Sequence, residues 1–249
     1  MGSRVLLMQA LLPGPSFVAG SSEFPVAAVP LDTTIEEGLQ TVLNGGNVSG
    51  THISGGEQRV SSGGSAVDTT IEEGFQTVLN GGNVCGTHIS GGEQNISSGG
   101  SAVDTTIEEG FQTVLNGGNV SGTHISGGEQ NISSGGSAVD TTIEVGLQTV
   151  FDGGSVNGTI IDGGEQHISS GGSAINTTLD GYQTVFNGGN ATGTTINGGF
   201  QNISSGGSAT STIINAGFQE VSSGGSATST TINAGFQALY DRCRQRHRY

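Results

Sequence analysis

Residues 65–100 read SAVDTTIEEGFQTVLNGGNVCGTHISGGEQNISSGG, and residues 101–136 repeat that line with one change, Cys85 becoming Ser121. A catalytic centre needs a single arrangement of unlike residues, so a line written twice in succession specifies something that stacks. Aligned on its threonines, the line divides into units of the form T-x-I-x-x-G-x-Q-x-V-x-x-G-G-x-A-x-x. Units start at Thr33, Thr51, Thr69, Thr87, Thr105, Thr123, Thr141, Thr159, Thr177, Thr194, Thr212 and Thr230, a period of 18 residues broken once. The unit from Thr177 is one residue short, with TTLDGYQ where others have TTIEEGFQ.

Three positions in each unit are apolar. The third is Ile everywhere but Leu179, the tenth is Val or Ile until Leu239, and the sixteenth is Val or Ala. Short β-branched stretches separated by Gly-Gly, Asn-Gly and Ser-Gly read as strands joined by tight turns, since Gly accepts the positive φ that such turns need. No 3.6-residue stripe competes with this pattern. One unit alone buries too little apolar surface to offset the entropy of ordering it. Stacked units bury their apolar side chains together, Ile on Ile and Val on Val. The fold expected is all-β, a parallel β-helix (β-solenoid) with one repeat per coil, about 11–12 coils and a length on the order of 55 Å. Gln holds the eighth position from Gln40 to Gln237 and shares the strand parity of the inward Val, which predicts an amide ladder bonded from coil to coil.

A second period spans two coils. Leu39, Leu43, Phe75, Leu79, Phe111 and Leu115 alternate with Glu57, Ser61, Glu93 and Ser97 at the seventh and eleventh positions. Strand parity turns these positions outward, giving a face striped apolar and acidic. Further along, the seventh position is aromatic in successive coils, Tyr182, Phe200, Phe218 and Phe236, and this column is the candidate contact face. A loop folding over the rings is the alternative.

Composition narrows the function classes. The net charge is -15 with six Lys and Arg in total, so nucleic acid and anionic lipid are poor partners. The two cysteines, Cys85 and Cys243, do not make a disulfide framework. No stretch is long and apolar enough to span a bilayer as a helix. Three organisational parts are expected: residues 1–31 as a leader with a weak signal-like segment, 32–239 as the solenoid, and 240–249 as a basic non-repeat tail where the array is interrupted, as by a truncation.

Chemistry is sparse. His52, His88 and His124 recur two coils apart, on the order of 10 Å, which is too far to share one zinc ion. The pairs Glu36-Glu37, Glu72-Glu73 and Glu108-Glu109 are weak calcium candidates unless both members lie in a turn. The glycine-rich calcium repeat, the P-loop, the dinucleotide fingerprint and the nucleophile elbow are absent. β-Helix enzymes build clefts from loops that interrupt the repeat, and this repeat is uninterrupted. No catalytic residue, cofactor or metal is expected.

The segments GGEQNISSGGSAVDTTI and GFQTVLNGGNVSGTHI resemble the passenger repeat of AIDA-type self-associating autotransporter adhesins, with Gly-Gly, Gln, Gly-Gly, Ala and Thr at matching offsets from Asp32 to about Leu239. The resemblance implies a right-handed parallel β-helix displayed at the extracellular or outer-membrane surface of a Gram-negative bacterium. It implies a non-enzymatic role in self-association, adhesion or biofilm formation. The implied partners are copies of itself on neighbouring cells, host surfaces or glycans, and a heptosyltransferase that modifies Ser and Thr. Carried onto this chain, candidate glycan acceptors are Ser61, Ser62, Ser97 and Ser98. The export barrel of that family is not within these residues. Two other readings remain: a solenoid that binds or cleaves polysaccharide, and, from the threonine columns, an ice-binding array.

Overall fold

The computed structural model describes residues 16–17, 21–24, 32–43 and 45–240. Every described element is a β-strand, and the strands form three parallel sheets of 13, 13 and 11 members. Each coil from that of Thr33 to that of Thr212 contributes one strand to each sheet, and the described coils at either end contribute to two. In the coil from Thr69 these are Thr70–Ile71, Phe75–Val78 and Asn83–Cys85. Equivalent residues pair from coil to coil: Ile71 with Ile89, Gln76 with Gln94, Val84 with Ala102. The chain is therefore a parallel β-solenoid whose coil is the 18-residue repeat. At the short coil the spacing drops to 17, yet Gln166 still pairs with Gln183 and Ile161 with Leu179. The residue is lost from the corner between those two strands, leaving both registers intact.

Two apolar columns make the core. Ile35 to Ile214 form one, with Leu179 standing in once. The Val and Ile of the four-residue strands and the Val and Ala of the three-residue strands form the other. Between them runs the glutamine ladder: Nε2 of each Gln donates to Oε1 of the Gln one coil before, for example Gln130 to Gln112 at 2.6 Å. The invariant Thr completes it. Thr141 Oγ1 donates to Gln130 Oε1 at 3.4 Å, beside the bond from Gln148 Nε2, and the amide oxygens from Gln40 to Gln219 each accept twice in this way. A buried amide is tolerated because repetition supplies its partners. Where the described run begins, Gln40 Nε2 and Thr33 Oγ1 are buried with no partner among the described residues.

Two corners explain the glycine and aspartate pattern. At the first, Ser62 (φ 52°) and Gly63 (φ 76°) are consecutive left-handed residues, and Gly64 N donates to Ser61 O at 2.9 Å, the mark of a type I′ turn. At the second, one left-handed residue per coil alternates Asp68, Gly86, Asp104, Gly122. A Cβ on Gly86 would lie 2.6 Å from Asp68 Oδ1, so the aspartate of one coil lies over the bare Cα of the next. This large–small alternation gives the 36-residue period a steric origin at this corner.

Pairing also extends ahead of Asp32. Ser16–Phe17 pairs with Thr34–Ile35, and Ser21–Phe24 with Leu39–Val42, within the segment read from sequence as a leader. The rest of the leader or weak signal-like segment at 1–31, namely residues 1–15, 18–20 and 25–31, and the tail from 241 to 249 lie outside the described residues. At the other end the last described coil has no described coil above it, and Ile232 and Leu239 are 47% and 69% exposed.

Candidate functional site

The seventh position of each repeat opens a four-residue strand, and its side chain points away from the core because the following Gln points in. Coil pairing aligns these positions into one column along the rod. In the first part of the column Leu39, Glu57, Phe75, Glu93 and Phe111 alternate, so no two rings are neighbours. The alternation ends at Glu165. Beyond it Tyr182, Phe200, Phe218 and Phe236 are consecutive, with ring centroids 5.4, 5.1 and 5.4 Å apart and planes within 18° of parallel. All four rings are exposed, Phe200 least at 38% and Phe236 most at 66%. No described loop covers them. Because the rings stack along the rod axis, they present edges to solvent, and only the two end rings have a face without an aromatic neighbour.

The eleventh-position column is less open than parity suggests. Leu43, Leu79 and Leu115 are half-buried, while Ser61, flanked by Leu43 and Leu79 on adjacent coils, is only 6% exposed. Ser61 therefore does not sit on an outward face, because its larger neighbours shade it. Ser97 is half-buried, and Ser62 and Ser98 are exposed at left-handed turn positions. The striped face thus survives at the seventh position and is muted at the eleventh.

The histidines line up on the two-residue-strand sheet, with Thr70 between His52 and His88 and Thr106 between His88 and His124. Each faces a glutamate one coil on: His52 Nε2 to Glu72 at 3.5 Å, His88 to Glu108 at 3.7 Å, His124 to Glu144 at 3.6 Å. The sequence placed them as separate rungs but did not foresee these partners. The coil-to-coil offset of 20 residues that joins them was readable, had the corner following the short strand been recognised. Glu36-Glu37 and its successors do lie together in that corner. Among the described residues, no group of three His, Cys, Asp or Glu could hold a metal ion.

The chain is similar to the TibC-catalysed, hyper-glycosylated fragment of TibA spanning its residues 55–350, with 35% identity and a TM-score of 0.82, over 92% of this chain and 93% of that one. The chain belongs to the AIDA-type autotransporter adhesins. A second solved structure, the surface protein and adhesin PfbA of Streptococcus pneumoniae, aligns over 89% of each chain at 10% identity and a TM-score of 0.37, too low to carry any argument. No protein-family model and no curated protein matches the chain. As an AIDA-type passenger, the rod is adhesin-like, and its side columns are the surface available for contact.

Proposed function

We propose that this rod is displayed at the surface of a Gram-negative cell and adheres to copies of itself on neighbouring cells through the side carrying Tyr182, Phe200, Phe218 and Phe236. The observation that carries the reading is this run of four stacked, exposed rings, a continuous aromatic strip along an acidic rod. Each contact is weak, but identical rods on opposed surfaces engage many at once, and avidity multiplies them. Cells carrying the rod on a supplied export barrel should settle faster than cells carrying the barrel alone. Equal settling rates would overturn the proposal.

Family membership also supports glycan addition to Ser and Thr by a dedicated heptosyltransferase, as the TibA fragment is glycosylated by TibC. Exposure favours Ser62 and Ser98 as acceptors over the half-buried Ser97 and the shaded Ser61. Peptide mass spectrometry of rod co-expressed with such a transferase should place sugar on Ser62 and Ser98 first. Modification of Ser61 ahead of them would contradict the assignment.

A further inference from the structure

The pairs His52–Glu72, His88–Glu108 and His124–Glu144 recur every two coils beside the two-residue-strand sheet, with Nε2 to carboxylate oxygen distances of 3.5, 3.7 and 3.6 Å. A charge-assisted hydrogen bond would hold such a pair at about 2.7–2.9 Å, so these atoms stand too far apart to be bonded to each other. They match a different geometry. Two ligands of a tetrahedral zinc ion, each bonded at about 2.0–2.1 Å, lie about 3.3–3.4 Å from one another. All six side chains are open to solvent, so an ion can reach both atoms of each pair. A pair supplies two ligands, and no cluster of three His, Cys, Asp or Glu is present among the described residues. We infer that the three pairs are zinc half-sites, completed by the same three pairs of a second copy of this chain.

Even spacing makes the array self-complementary. A two-fold axis through the central pair sets His88–Glu108 against its own copy and exchanges His52–Glu72 with His124–Glu144, since neighbouring pairs are about 9.6 Å apart. Each zinc ion then has two imidazoles and two carboxylates, which complete its tetrahedron and balance its charge. Three such bridges over a run on the order of 19 Å reinforce one another. The metal is needed because Glu73 and Glu109 adjoin two of the glutamates on a chain of net charge -15, so two bare faces brought together repel. A fourth pair, His167–Glu165 at 3.2 Å, belongs to a four-residue strand outside the array and offers a single contact. The array and the aromatic column belong to different sheets, so this inference does not rest on adhesion through the rings.

Sedimentation velocity on the full 249-residue chain tests it, with zinc chloride as the probe and EDTA or magnesium chloride as the comparisons. Zinc should strengthen dimer formation about a hundredfold or more, EDTA should reverse the effect, and magnesium, which prefers an octahedron of oxygens, should not reproduce it. His88→Gln removes the central bridge and should weaken the zinc-dependent step about tenfold. The triple variant His52→Gln, His88→Gln, His124→Gln should lose that step and keep its strands by circular dichroism. Zinc content of the parent dimer should exceed that of the triple variant by three ions per two chains. The inference is overturned if zinc binds without dimer formation, if magnesium acts equally well, or if the triple variant dimerises with zinc as the parent does, which would assign the ions to Cys243, His247 or other ligands. Running the same series on the Phe200→Ser, Phe218→Ser chain separates this step from association through the rings, and the zinc response should be unchanged.

Discussion

Gln130 is held by three bonds in the middle of the rod: its Nε2 donates to Gln112 at 2.6 Å, and its Oε1 accepts from Gln148 at 2.6 Å and Thr141 at 3.4 Å. Gln130→Leu keeps the volume but strips the acceptor from two buried donors, which should cost about 1–3 kcal/mol for each group left unsatisfied. Urea denaturation should show a lowered midpoint, whereas Asn131→Ser, on the outward side, should stay within about 0.5 kcal/mol. The aspartate corner has its own test. Gly81 and Gly86 both have positive φ, but a Cβ at Gly81 meets nothing within 4 Å, while one at Gly86 meets Asp68. Gly81→Ala should cost the backbone strain alone, about 1–2 kcal/mol, and Gly86→Ala more than that. Adding Asp68→Gly, which removes the carboxylate and suits the positive φ of that position, should recover at least the difference. The amide ladder was legible because an invariant Gln shares the parity of a buried Val. The threonine's part was not, since it bonds a residue eleven positions earlier across the coil, and strand periodicity does not link the two. Ser61 was misjudged as outward for a related reason: parity gives direction, but exposure depends on the size of Leu43 and Leu79 on the adjacent coils.

Among the elements, the four-residue strands carry both the core and the contact face. Their inward residues never vary in kind, but their seventh position changes rule after Glu165, from alternating acid and apolar residues to four successive aromatics. Phe218→Glu restores the earlier alternation at one rung. It should remove two stacked pairs worth about 0.5–1.5 kcal/mol each, leave the fold intact by circular dichroism, and weaken association between rods. The aromatic run and its parity were readable from the sequence. Its exposure was not, because a covering loop was equally compatible with the same residues.

Across the whole molecule, each coil touches only the coils above and below, so stability is close to a sum over coils and their interfaces. Residues 101–136 form two complete coils, and their removal joins Gly100 to Ser137 as Gly136 is joined now. The shortened chain should keep its three sheets and lose about 9–10 Å of length, measurable by small-angle scattering. Unfolding to a disordered chain would contradict the nearest-neighbour picture. The solenoid and its coil were legible throughout the repeat, where the same residues return at one spacing. Its start was less so: Ser16–Phe17 and Ser21–Phe24 pair with the next coil while carrying neither the Thr nor the Gln that marks the repeat. The central claim is that this rod adheres through its aromatic column. It is tested most directly by coating beads with the parent chain or with the Phe200→Ser, Phe218→Ser double variant and following clustering by light microscopy. Parent-coated beads should cluster and variant-coated beads stay dispersed, with both proteins equally folded; clustering that is unchanged by the two substitutions would contradict the account.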